Sequence, residues 1–275
     1  CWARGCGMPL GRRMIFVLLE VKDLNISLTS EKSVAEHISF RLGQGEMLSI
    51  VGSSGAGKTT ICKAIMGLLG NAYRADGEIL FQGEDLLDLP ERKRQTIYGK
   101  EICLIMQNPM TAFNPSIRVG RQMEKTYLLH HGKTPRQEMQ RLFAAILQKL
   151  GLEDTQRILN SYPFTLSGGM LQRLMIAAAL MGQPALLVAD EATTAIDACN
   201  RIGLMRELKS FCKDGMSVLF VTHDLRSASV SDRILVMDRG QIVEQGKTEQ
   251  ILNTPKEDYT KYLLNACRLE RREMS

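Results

Sequence analysis

From Ile15 to Val51 apolar and polar positions alternate in short runs: Val17, Leu19 and Val21, then Ile26 and Leu28, then Ile38, Phe40 and Leu42. This period of two predicts several strands before any helix. Gly43-Gln44-Gly45 interrupts the pattern ahead of the unbroken apolar run Met47 to Val51, which reads as a buried strand. After a Gly-rich turn, Thr59 to Leu69 carries Ile61, Ile65, Leu68 and Leu69 at helical spacing, so the segment predicts strand, loop, helix. Between Thr111 and Leu180 strand signals vanish. There Arg136 to Leu150 presents Met139, Leu142, Phe143, Ile146, Leu147 and Leu150 on one face with Gly151 as a stop, predicting an amphipathic helix in an inserted helical lobe of about residues 111–180. Strands return at Ala185 to Ala189, Ser217 to Thr222 and Ile234 to Met237, the first two separated by the helix-like Cys199 to Lys213. That alternation is what a parallel α/β sheet requires. No internal repeat or low-complexity tract interrupts it.

A chain of 275 residues with 44% hydrophobic and 24% charged positions can bury a sizeable core, so composition excludes a disordered chain and suits one large α/β body with an attached lobe. The longest nearly apolar stretches, Leu174 to Gly182 and Met14 to Leu19, fall far short of the ~18 residues that span a bilayer, and no transmembrane segment is expected. The net charge of +5 is too small and scattered for a nucleic-acid footprint; Arg92-Lys93-Arg94 and Arg268 to Arg272 read as solvated faces, and no nucleic-acid partner is expected. Cysteines at 1, 6, 62, 103, 199, 212 and 267 lack the paired short spacing of a zinc site and read as free thiols of a reducing cytoplasm. Cys1 to Arg13 mixes Trp, Gly, Cys and Arg without an initial Met, so residues 1–13 are expected to be a disordered extension and residues 265–275 a tail.

Gly52-Ser53-Ser54-Gly55-Ala56-Gly57-Lys58-Thr59 fits the pattern G-x-x-x-x-G-K-[ST] and lies between a predicted strand and a predicted helix, the context that distinguishes a phosphate loop from a chance Gly-rich turn. Glycines let backbone N–H groups converge on phosphate oxygens, Lys58 places a positive charge on the β and γ groups, and the Thr59 hydroxyl is a Mg²⁺ ligand. Downstream, the apolar run Leu186-Leu187-Val188-Ala189 ends in Asp190-Glu191, delivering two carboxylates to the strand end where α/β sheets place ligands. Asp190 is placed to hold Mg²⁺ through water and Glu191 to orient or deprotonate an attacking water; the alternative is a pair of acids capping a helix. His223 follows the next strand, either as a structural histidine or as a γ-phosphate contact.

Leu166-Ser167-Gly168-Gly169-Met170-Leu171-Gln172-Arg173, set between the phosphate loop and the acidic strand, resembles the signature sequence of ATP-binding cassette ATPases. The resemblance runs from Ile15 to roughly Leu264. It implies a P-loop NTPase (RecA-like) core with an N-terminal antiparallel β subdomain and an inserted helical subdomain, residues 14–264 forming the nucleotide-binding domain. By resemblance, Gln107 in Met106-Gln107-Asn108-Pro109 is the glutamine that senses Mg²⁺ and touches membrane subunits, Asp197 in Thr194-Ala195-Ile196-Asp197 is the key acid of the D-loop, and His223 is the switch histidine. Nucleotide contacts are implied for Gly52 through Thr59, for Thr60 and for Asp197, and, on the ATP of an opposing subunit, for Ser167, Gly168 and Gly169. The implied cofactors are ATP and Mg²⁺, the latter on Thr59, Gln107 and Asp190, with Glu191, His223 and Gln107 as the catalytic set.

Gln107-Asn108-Pro109 with Ala112-Phe113-Asn114-Pro115, Ser161-Tyr162-Pro163-Phe164, Val243-Glu244-Gln245-Gly246 and Tyr259-Thr260-Lys261-Tyr262-Leu263-Leu264 are similar to the oligopeptide, dipeptide and nickel importer branch. Gly169-Met170-Leu171-Gln172-Arg173 looks most like the first ATPase of nickel or metallophore importers, with a peptide solute as the alternative. Implied partners are a paralogous ATPase subunit, two transmembrane permease subunits and an extracytoplasmic solute-binding protein, with the chain peripheral on the cytoplasmic face of the membrane. Ala192, Ile196 and Met170 depart from the family's usual Pro, Leu and Gln without removing a catalytic group. The aromatic that normally stacks on adenine aligns near Leu28, which predicts weak base selectivity. Two other classes compete: a non-transport cassette ATPase, against which the chain lacks a coiled-coil insertion or second cassette, and a P-loop kinase or binding module, which leaves the signature stretch unexplained.

Overall fold

The computed structural model describes residues 16–30, 32–106, 108–191 and 198–273, with side chains through 267 except those of 198–200. The expected 1–13 extension and the departures at Ala192 and Ile196 lie outside the described residues. Strands β1 (Val17–Leu28), β2 (Ser33–Gly43), β4 (Tyr73–Phe81) and β5 (Glu84–Asp85) form an antiparallel sheet in the order β2-β1-β4-β5. A second sheet joins β3 (Met47–Gly52), β6 (Ile102–Ile105), β7 (Leu186–Asp190), β8 (Ser217–Thr222), β9 (Arg233–Asp238) and β10 (Gln241–Lys247) in the order β10-β9-β3-β8-β7-β6. All its pairs are parallel except β10 on β9. The two apolar groups read at 17–21 and 26–28 belong to one strand, β1, whose register shifts beside Asp23 at φ +44°.

The central strands read as continuous apolar runs because both faces are covered. Leu48, Ile50, Leu186, Val188, Leu219 and Val221 turn toward the antiparallel sheet and α1 (Lys58–Ile65), while Met47, Leu187, Ala189, Val218 and Phe220 turn toward the helical lobe. Alternate side chains of each strand thus feed two separate cores. The helix predicted from Thr59 to Leu69 starts at Lys58 and stops at Ile65: Gly67 turns to φ +63°, which leaves Leu68 outside the core at 55% exposure.

The lobe contains α3 (Val119–His131), α4 (Arg136–Lys149), α5 (Thr155–Asn160) and α6 (Gly168–Leu180), with no strand among them. Met139, Phe143, Ile146 and Leu147 form the buried stripe of α4, as its spacing predicts. Beyond the small helix α2 (Glu91–Ile97), the remaining helices are α7 (Ala198–Cys212), α8 (Leu225–Ala228), α9 (Thr248–Asn253) and α10 (Asp258–Glu273). The third core, Val51, Leu225, Ala228, Ile234, Val236 and Ile251, lies beneath α10. Among the described residues, no helix is long and apolar enough to cross a membrane.

Candidate functional site

Strand β3 ends at Gly52 and α1 begins at Lys58, so residues 53–57 form the turn the motif predicts. Three of its glycines answer to distinct requirements. A Cβ on Gly52 would stand 2.2 Å from the Met237 carbonyl oxygen of β9, and one on Gly57 would stand 2.7 Å from that of Val34, so the loop lies directly on neighbouring backbone. Gly55 and Gly57 have φ of +83° and +93°, a region L side chains avoid. A Cβ on Gly55 would meet nothing within 4 Å, so this glycine serves conformation and leaves the loop's outer face open. Ser54 and Thr59 are exposed, Ala56 is buried and Thr60 half-buried.

Lys58 is buried, and its Nζ donates to the carbonyl oxygens of Gly52 at 2.8 Å and Ser53 at 2.7 Å. Burial lowers its pKa from the usual lysine value, opposed by the nearby carboxylates of Glu191 and Asp190. Behind it, burial pushes the Cys62 thiol well above its usual range, so this cysteine is a packing residue.

At the end of β7 the Thr59 hydroxyl donates to Asp190 Oδ1 at 3.2 Å. Burial raises the Asp190 pKa; the Thr59 hydrogen bond opposes this and the Glu191 charge adds to it. Glu191 adopts φ +49°, a left-handed conformation rare for a side chain of this size, with its N–H donated to the Val221 carbonyl at 2.9 Å. This geometry turns the carboxylate toward the end of β8, where Glu191 Oε1 lies 3.3 Å from His223 Nδ1. Lys58, Thr59, Asp190, Glu191 and His223 therefore meet at the C-terminal ends of three strands that are neighbours in the sheet, β3, β8 and β7. Gln107 and Asp197 lie outside the described residues.

Two oxygen donors side by side, one hydroxyl and one carboxylate, suit Mg²⁺, a hard cation usually held by one or two protein groups with water and phosphate completing its shell.

Ser167, Gly168 and Gly169 lie at the N-terminus of α6. Ser167 caps α6, its Oγ accepting the Met170 N–H at 3.3 Å, and a Cβ on Gly169 would meet nothing within 4 Å. Helix α6 packs on α4, on β6 and on the 3-10 turn Pro109–Thr111. Strand β6 is the sheet edge, three strand positions or about 14 Å from β3.

Sequence reasoning missed one contact: the Ser53 N–H donates to the Tyr259 hydroxyl at 3.1 Å. The Tyr259 motif is visible in the sequence, but nothing local links it to a loop 206 residues away.

A sequence profile described as ABC transporter matches residues 35–194. The metal-staphylopine import system ATP-binding protein CntD of Staphylococcus aureus is 41% identical over 90% of this chain and 92% of that protein. The oligopeptide transport ATP-binding protein OppD of Bacillus subtilis is 41% identical over 90% of this chain and 71% of its own length. The dipeptide transport ATP-binding protein DppD of Haemophilus influenzae is 39% identical over 90% and 77%. Among solved structures, a dimeric ATP-binding cassette in a post-hydrolysis state, bound to ADP and Pi, matches with TM-score 0.73 and 26% identity over 84% of this chain and 98% of that one. The cbiO1 subunit of an ABC transporter complex from Clostridium perfringens shares the fold with TM-score 0.77 at 22% identity, over 94% and 97%. The chain belongs to the ABC transporter family, as an importer subunit that binds ATP and couples its hydrolysis to transport.

Proposed function

We propose that ATP is hydrolysed at the meeting point of β3, β7 and β8, with Lys58, Thr59, Asp190, Glu191 and His223 as the working groups. The observation that carries this reading is the convergence of those five side chains on one phosphate loop, with Thr59 donating to Asp190 and His223 beside Glu191. Lys58 exchanges the Gly52 and Ser53 carbonyls for β- and γ-phosphate oxygens. Thr59 and Asp190, with Gln107, hold Mg²⁺, which when bound neutralises charge on the phosphates. Glu191 orients the attacking water and accepts its proton as that oxygen bonds to the γ-phosphorus and the bond to ADP breaks. His223 contacts the γ-phosphate through Nε2, with Nδ1 beside Glu191.

Ser167, Gly168, Gly169 and Asp197 complete the site of a second ATPase subunit in a head-to-tail pair. The open face of Gly169 at the start of α6 supports this. ATP then bridges two subunits, and its hydrolysis releases them. We assign the second subunit to a paralogous chain. We assign the permease contact to the surface of exposed Ile117 and the stacked pair Tyr162 and Phe164, with the Arg118 guanidinium over the Tyr162 ring, and the chain to a peripheral position on the cytoplasmic face of the membrane; the apolar and basic character of that surface supports this reading.

For the solute we propose nickel or a related metal bound to a small chelator, supported by the similarity to the metal-staphylopine ATPase. The oligopeptide and dipeptide relatives favour a second reading, a peptide. Uptake by the assembled transporter with its solute-binding protein decides between them: ATP-dependent accumulation of the metal chelate is expected, and accumulation of peptide alone selects the second reading.

A further inference from the structure

The C-terminal helix α10 is tied at its start and again at Cys267. Glu244 of β10 accepts the N–H groups of Lys256 at 2.9 Å and Glu257 at 3.2 Å just before the helix starts, and Arg226 Nη2 donates to the Cys267 carbonyl at 2.8 Å further along. Between these points Tyr259, Leu263 and Leu264 pack on the core that holds Val51, one residue before the phosphate loop, and Leu225, two residues after His223. From this seat the Tyr259 hydroxyl reaches the Ser53 N–H at 3.1 Å, while the Ser53 carbonyl takes the Lys58 ammonium at 2.7 Å. Ser53 is thus held on both sides of its backbone, by α10 and by the lysine.

We propose that Tyr259 is a positioning residue for ATP binding, with α10 as a brace that keeps the phosphate loop in its binding shape; this rests on the reading of residues 52–59 as the phosphate site. The chemistry is pre-organisation. A Gly-rich loop with two left-handed glycines has many accessible shapes, and ordering it at the moment of binding costs affinity. Val51 anchors the loop from the sheet by packing, and the Tyr259 hydroxyl adds a directional bond at its first turn. Because the same helix holds Arg226, whose own helix α8 follows His223, the brace also ties the two sides of the site together.

Tyr259→Phe keeps the ring on its packing surface and removes only the hydroxyl. In the full chain, equilibrium titration is expected to show ATP affinity weakened roughly three- to tenfold, the loss of one hydrogen bond. Deuterium exchange at the Ser53 amide should accelerate while Tm falls by no more than about 3 °C. In the assembled transporter KM for ATP rises and kcat stays within about a factor of two, a split that lost packing does not produce. Lys58→Ala, measured alongside, must weaken ATP binding for the loop reading to stand. If it does, and Tyr259→Phe keeps wild-type affinity, the proposal is overturned alone. A fall in Tm with unchanged affinity assigns Tyr259 to packing and overturns it too. Full ATP affinity in Lys58→Ala overturns the loop reading and the proposal with it.

Discussion

His223 Nδ1 stands 3.3 Å from Glu191 Oε1, across the ends of adjacent strands β8 and β7. The contact aims a glutamate whose backbone is held at φ +49°. His223→Ala therefore removes the proposed phosphate contact and also a neighbour of the Glu191 carboxylate. Turnover is expected to fall about a hundred- to a thousandfold, the scale of losing one fixed donor at the reacting centre. ATP affinity should change little, because Lys58 and the loop remain. The check is steady-state ATPase together with equilibrium ATP titration on the same variant.

Asp190 is held at a stability cost. Burial raises its pKa above the ordinary 3.8, so relative to the unfolded chain the folded protein gains by protonation below that value and loses the gain as pH rises through the raised pKa. At neutral pH the ionised carboxylate is therefore destabilising in the absence of nucleotide. Asp190→Asn, which can still accept from Thr59, should raise Tm without nucleotide by up to about 2 °C. The gap over the parent should close as pH falls toward 3.8, and the variant should lose Mg²⁺-dependent ATPase. A Tm difference that widens with falling pH contradicts the sign.

The features legible in the sequence are those written over short distances. The loop 52–59, the acids closing β7 and the histidine closing β8 each sit where an apolar strand stops, and the structure places them there because a parallel sheet buried on both faces admits polar groups only at its strand ends. The amphipathic stripe of α4 was equally plain. Strand order, by contrast, follows from long-range packing: the sequence gives no sign that β1 lies between β2 and β4, or that β8 separates β3 from β7. Short elements without strong periodicity, such as α5 and β5, left no pattern to read. The left-handed backbone at Glu191 and the Tyr259 contact arise from tertiary geometry, and no local residue choice announces either.

Base selectivity should be weak. The family's adenine-stacking aromatic is expected near Leu28, and Tyr73 pairs with Leu28 across the β1–β4 ladder while packing on the core beneath the sheet. If neither Tyr73 nor Phe16 stacks on the base, the ~1–3 kcal/mol that base stacking supplies in nucleic-acid sites is missing. ATP and GTP are expected to bind within about tenfold of each other in competition titrations. A preference above about a hundredfold shows that an aromatic side chain does stack, with Tyr73 the first to test by Tyr73→Ala.

Head-to-tail pairing has its own signature in double variants. On the proposed head-to-tail pairing Glu191 serves this chain's loop and Ser167 the partner's, so Glu191→Gln with Ser167→Arg is expected to damage both composite sites. Glu191→Gln combined with a change in the partner's signature serine damages one site twice and should keep partial hydrolysis. ATPase assays of the two complexes give the comparison, and equal loss in both contradicts the arrangement.

The most direct measurement is ATP turnover by the assembled transporter carrying Glu191→Gln, with ATP binding titrated in parallel. The amide keeps the shape of the side chain and its contact with His223 but cannot take a proton from water. Turnover is expected to fall about a hundred- to ten-thousandfold while ATP binding is retained and nucleotide-bound pairs accumulate. Turnover within about twofold of the parent contradicts the assignment of Glu191 as the group that activates water, and with it the reading of this strand-end cluster as the hydrolytic site.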